Sequence, residues 1–277
     1  MMKSVLTGAA LALAVVSQAA TVFAAGDLAI VGYNSGNPDD VAILSLVNFE
    51  AGTSFYITDY GWRAAQDGFR GGGEGWIKAT ATRAYSAGEV FVIRRGGATP
   101  LPIVDNYQNA AFTYEWDGTP TAPEFAPSAA GDQIFLFQGD FTDSTSTTVA
   151  ATIANGGLIF GLNGESTGAD ADGWQADATS SNNSALPSTL TVGSTALGLF
   201  PGGSTEFDNA VYNRALTTGT KEELLASIAN RSNWTFTDGD VTSYQFNVEN
   251  YNVVPEPASM SVLGLGLAAV LRKRLAR

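Results

Sequence analysis

The chain has 277 residues, 45% hydrophobic and 15% charged, with 14 basic against 27 acidic side chains. It contains no cysteine and no histidine, which excludes a disulfide framework, thiolate chemistry, Ser-His-Asp sites and the usual zinc sites. Five basic residues (Lys3, Arg272, Lys273, Arg274, Arg277) lie near the ends, so the span from Asp27 to Glu256 sets nine basic against 27 acidic side chains, a net charge near −18 that argues against a nucleic-acid partner.

Residues 1–24 begin with Lys3 and continue as an apolar run from Val5 to Val16. They end on Ser17-Gln18-Ala19-Ala20-Thr21-Val22-Phe23-Ala24. A basic start, an apolar run and small residues before a cut describe a secretory signal peptide, expected as a helix. Val22 and Ala24 fit a cut before Ala25, and Ala19 offers a second cut site. The run lacks a twin-arginine pair, which points to export of the unfolded chain through the secretion translocon.

A single domain is expected over 25–250. Short apolar runs separated by Gly, Asn, Asp and Pro predict strands near 28–33, 41–49, 54–59, 75–82, 89–95 and 133–138. Further strands are expected near 157–162, 196–200, 209–213 and 243–249. In 41–49, Val41, Ile43 and Val47 share one face while Leu44 and Leu46 share the other, the pattern of a strand covered on both sides. One helix is expected near 220–230. Thr220 is its N-cap, Glu223 closes a capping box, and Leu224, Leu225, Ile228 and Ala229 form the buried stripe. One helix among about ten strands predicts an all-β fold, a β-sandwich.

The tail reads Val254-Pro255-Glu256-Pro257, then a weakly polar to apolar stretch from Ala258 to Leu271, then Arg272-Lys273-Arg274-Leu275-Ala276-Arg277. As a helix the stretch reaches about 21 Å, short of a hydrocarbon core of about 30 Å. It makes a marginal transmembrane helix, with Arg272, Lys273 and Arg274 holding its far end in the cytoplasm. The two prolines keep the tripeptide extended and open to a processing enzyme.

This tail resembles the PEP-CTERM sorting signal of exopolysaccharide-producing bacteria, over 254–277. The resemblance implies processing by an exosortase, a membrane cysteine transpeptidase, with Pro255, Glu256 and Pro257 as the recognition element. It implies a transient inner-membrane anchor, then the cell surface or extracellular matrix. The stretches Gly26–Asn34, Asp39–Leu44, Ala51–Thr53, Phe55–Trp62, Gly131–Phe135 and Glu222–Leu225 with Asn233-Trp234 resemble a lamin-tail-like group of bacterial secreted domains. That resemblance implies an immunoglobulin-like sandwich and brings no catalytic residues.

No catalytic, cofactor or metal residue is assigned. Asp170-Ala171-Asp172-Gly173 is a partial calcium-loop pattern whose Gly comes too early and which lacks a closing Glu. Asp238-Gly239-Asp240 and Asn37-Pro38-Asp39-Asp40 are weaker still. Tyr60, Trp62, Phe69 and Trp76 crowd a Gly-rich stretch that also holds Arg63, Arg70 and Glu74. They read either as core anchors or as platforms for sugar rings. Three functional readings follow: a non-enzymatic surface protein associated with exopolysaccharide, a carbohydrate-binding module, or a carboxylate glycosidase.

Overall fold

The computed structural model describes residues 19–36, 39–95, 103–105, 111–119, 122–239 and 246–256. Residues 1–18 of the expected signal helix and the C-terminal transmembrane helix, with Pro257, Arg272, Lys273 and Arg274, lie outside these residues; residues 19–24, expected to continue the signal helix, are described and are not helical. Among the described residues no helix is long and apolar enough to cross a membrane. The chain runs through β1 (Leu28–Asn34), β2 (Asp39–Ser45), β3 (Ser54–Thr58), β4 (Trp62–Arg63), β5 (Gly68–Arg70), β6 (Trp76–Ala81), β7 (Val90–Arg95), β8 (Ile103–Asp105) and β9 (Phe112–Trp116). Next come β10 (Gly118–Thr119), β11 (Ala122–Pro123), β12 (Gln133–Thr142), β13 (Ala150–Asn163), β14 (Ala196–Gly198), β15 (Asn209–Tyr212) and β16 (Thr218–Gly219). Helix α1 (Lys221–Ile228), β17 (Trp234–Thr237) and β18 (Asn252–Val253) complete it.

Two sheets form a sandwich. One has the order β17-β15-β1-β2-β7-β8, the other β4-β5-β13-β12-β3-β6-β9 with β14 added beside β13. Side chains alternate across a strand, and that alternation builds two cores. Phe55, Ile57, Ile134 and Leu136 join β1, β2 and β7 in the larger core. Phe135 and Phe137, from the opposite face of β12, pack with Tyr60, Trp62, Phe69 and Trp174 in a second core. Cross-strand neighbours Tyr56 and Phe137 stack with ring centroids 4.7 Å apart.

β2 lies between β1 and β7 with all seven residues buried, as its two apolar faces predict. It ends at Ser45 rather than at 49. The Ser45 hydroxyl donates to the Val47 carbonyl and turns the chain there. Asp39 and Asp40 at its start face Arg95 and Arg94 across the β2–β7 ladder. Arg94 grips Asp40 through two 2.7 Å hydrogen bonds. These aspartates are therefore held by arginines.

β13 starts at Ala150, earlier than the run at 157–162 suggests. Asn155, Gly156 and Gly157 do not break it, because register shifts in the β12–β13 ladder absorb them. Of the strand expected near 243–249, residues 246–249 are coil, and 240–245 lie outside the described residues. The capping box of α1 forms as expected, and Leu224, Leu225 and Ile228 are buried. Trp234 is buried too, its ring N–H donating to the Ile228 carbonyl.

Candidate functional site

The last described segment is fastened to the domain. Tyr251 N–H donates to Gly88 O, Asn252 N–H to Thr217 O and Val254 N–H to Gly219 O, each at 2.8 Å. β18 thereby lies parallel to β16. Arg214 sits 4.2 Å from the Tyr251 ring centroid and donates to the carbonyls of Glu249 and Asn250. Pro255 has no N–H, so the ladder stops there. Pro255 and Glu256 are exposed. A hydrogen bond with Glu222, at the start of α1, raises the Glu256 carboxyl. Of the expected sorting residues, Pro255 and Glu256 thus emerge at the edge of the fold, where an enzyme can reach them.

A second constellation is buried. Asp59 follows β3, Glu74 precedes β6 and Asp132 precedes β12. Antiparallel pairing of Phe135 with Thr58 sets the end of β3 beside the start of β12. One oxygen from each of the three carboxyl groups lies within 4.8 Å of the other two. Their exposures are 1%, 6% and 4%. Both Asp59 oxygens accept backbone N–H bonds, from Gly75 and Ala126, each at 2.7 Å. Asp132 accepts from the N–H groups of Ser128 and Gln133 and from the Gln133 side-chain amide. That amide also donates to the Asp59 and Ser181 carbonyls. Glu74 shares a hydrogen bond with Ser181.

Burial is the largest cause of the high carboxyl pKa values here. It pushes Asp59 up to about 7 against the pull of its two backbone donors. It pushes Glu74 up to about 9, helped by the nearby Asp59 charge and opposed by Arg70. Asp132 rises well above the carboxylate range for the same reason, with Asp59 and Glu74 adding to it. Three carboxylates cannot all stay ionised in so dry a place, so protons or a cation must balance them. The all-oxygen donor set suits a hard cation such as calcium rather than zinc or copper.

Gly75 is what lets the loops close over this cluster. A Cβ there would lie 1.9 Å from Phe125 N and 2.2 Å from Glu124 C. Gly75→Ala should therefore cost about 3 kcal/mol, read as a lowered unfolding midpoint. An unchanged midpoint would show that the loops part freely.

The aromatics that read either as core anchors or as sugar platforms gather in the second core. Tyr60, Trp62, Phe69 and Trp174 are core residues, 0–9% exposed. Trp76 is half-buried and packs against Tyr56 and Phe141. Asp170 and Asp172 lie in an exposed turn, where Asp172 accepts from the Trp174 N–H. The sequence reading does not find the Asp59–Glu74–Asp132 trio. Its members come from three separate segments, and only strand pairing unites them.

Over residues 253–274 the chain matches the PEP-CTERM protein-sorting motif. Neither a curated protein nor a solved structure matches the chain significantly. The motif marks an exported protein targeted to an exosortase, with a transient membrane anchor before processing.

Proposed function

We propose that the chain is a non-enzymatic component of the cell surface or extracellular matrix, associated with exopolysaccharide after its tail is processed. The observation that carries this reading is the exposed start of the sorting motif, leaving the last ladder of a domain whose titratable cluster is sealed. A glycosidase needs two carboxyl groups flanking a bond that substrate can reach. Burial of Asp59, Glu74 and Asp132 weighs against that use. The high acidic charge keeps such a domain soluble outside the cell. The lamin-tail-like, immunoglobulin-like kinship belongs to the same proposal, as a scaffold that brings no catalytic residues.

A cleft of about 450 Å³ favours the carbohydrate-binding reading as second choice. Tyr56, Phe141, Lys78, Gln138 and Asp140 line it, offering ring faces beside polar groups. Lys78→Ala and Asp140→Ala separate the two readings. A scaffold role predicts unchanged recovery of both variants with the native polysaccharide layer. Lost recovery at an unchanged unfolding midpoint would favour the cleft as a sugar site. Released oligosaccharides would point to an enzyme.

A further inference from the structure

Two peptide bonds near the start of the chain satisfy the small-residue rule for signal removal: Ala19–Ala20, with Ser17 and Ala19 before it, and Ala24–Ala25, with Val22 and Ala24. The fold treats them differently. Ala19 and Ala20 are exposed, and among the described residues the side-chain hydrogen bonds to the folded domain begin at Thr21. Thr21 N–H donates to Thr53 Oγ1 at 2.9 Å, and Thr21 Oγ1 accepts from Glu50 N–H at 3.1 Å. Gln138 clasps the same segment. Its Nε2 donates to Thr21 O at 3.0 Å and its Oε1 accepts from Phe23 N–H at 2.7 Å.

Side chains alternate along the segment as they do along a strand. Val22 is 80% exposed and Phe23 only 6%. The Phe23 ring meets Phe49 and Phe55 edge-on, with centroids 5.4 and 6.3 Å apart. It is a member of the larger core. Ala24 then closes a turn, its N–H donating to Asp27 Oδ2 at 2.7 Å.

A cut before Ala25 would strip Phe23 from that core. It would also take partners from Gln138 and from Thr53, which is itself fully buried. Buried groups left without partners, and an aromatic-lined void, are both strongly destabilising. A cut before Ala20 removes none of these contacts.

We propose that signal removal hydrolyses the Ala19–Ala20 bond, so that the mature protein begins at Ala20 and keeps Phe23 as a core residue. Water adds across that one peptide bond, leaving a carboxylate on Ala19 and an ammonium on Ala20. The new amino group lies at the rim of the cleft that Tyr56, Lys78 and Asp140 also line. The inference rests on export, and is independent of what the processed domain binds.

The test exports the full chain from a bacterial host with a general secretion pathway, then reads the exported form by intact mass and N-terminal sequencing. The expected chain begins at Ala20. A folded product beginning at Ala25, or one that keeps its signal, overturns the proposal. Ala19→Glu should abolish the Ala20 product and Ala24→Glu should leave it, and the reverse pattern also overturns it. Phe23→Ala adds a readout that does not depend on the processing assay. If Phe23 is retained, the exported variant melts about 10 °C lower. If Phe23 leaves with the signal, the midpoint cannot change.

Discussion

In the presence of a chelator, the folded domain should lose stability steadily as pH rises from about 5 to about 9. The sign follows from the buried trio. Glu74 has an ordinary carboxyl value of 4.5 and rises to about 9 in the fold, and Asp59 rises from 3.8 to about 7. Folding therefore holds protons that the unfolded chain releases. The associated stability is complete below the ordinary values and is lost as pH climbs through the raised ones. Each raised group contributes a slope of about 1.4 kcal/mol per pH unit inside its window. Glu74→Gln keeps the shape of the protonated acid and needs no proton. It should be close to neutral near pH 4.5 and stabilising by up to about 4 kcal/mol near pH 8. Denaturant unfolding at both pH values measures this. Parallel pH curves for the two proteins would mean that the carboxylate at Glu74 is charged and solvated after all. In millimolar calcium the wild-type curve flattens only if a cation takes the place of the proton.

The same trio shows where sequence reading stops. Helix α1 is legible because every determinant is local: Thr220 and Glu223 sit three positions apart, and both capping bonds form. β2 is legible because apolar residues on both faces require cover on both faces. Trp62 and Phe69 have no such local determinant. Stacking on sugar and packing in a core call for the same residues, and only the partners decide. Here the partners are other rings: the Trp62 and Phe69 centroids lie 5.1 Å apart, edge to face, and Phe69 also meets Phe135 at 5.6 Å. Asp59 and Asp132 stand in the sequence within the stretches Phe55–Trp62 and Gly131–Phe135. Their meeting depends on which strand pairs with which, a long-range choice without a residue-spacing signature. Asp39 and Asp40 likewise read only as a weak calcium-loop pattern until the β2–β7 register sets Arg95 and Arg94 opposite them.

A chain ending at Val254 should fold as the full chain does and yet fail to stay at the surface. The last ladder bond of the described segment is Val254 N–H to Gly219 O, and beyond it Pro255 and Glu256 add only exposed residues. Among the described residues, deleting 255–277 therefore removes only Pro255 and Glu256, with the hydrogen bond between Glu256 and Glu222. What it removes is the sorting motif matched at 253–274, apart from its first two residues. The expected result is an unchanged unfolding midpoint, no membrane-held precursor and surface-retained protein at background. Arg214→Ala is the complementary variant. It frees the carbonyls of Glu249 and Asn250 and uncovers the Tyr251 ring, loosening the docked segment while leaving the motif whole. Its midpoint should fall slightly while its sorting persists. Were the docked geometry itself what the exosortase reads, the Arg214 variant would be missorted. Were the tail dispensable, the truncated chain would reach the same layer in the same amount. Comparing the two variants therefore separates a tag read as an extended peptide from one read as part of the folded surface. Pro255, which has no N–H to extend the β16–β18 ladder, favours the former.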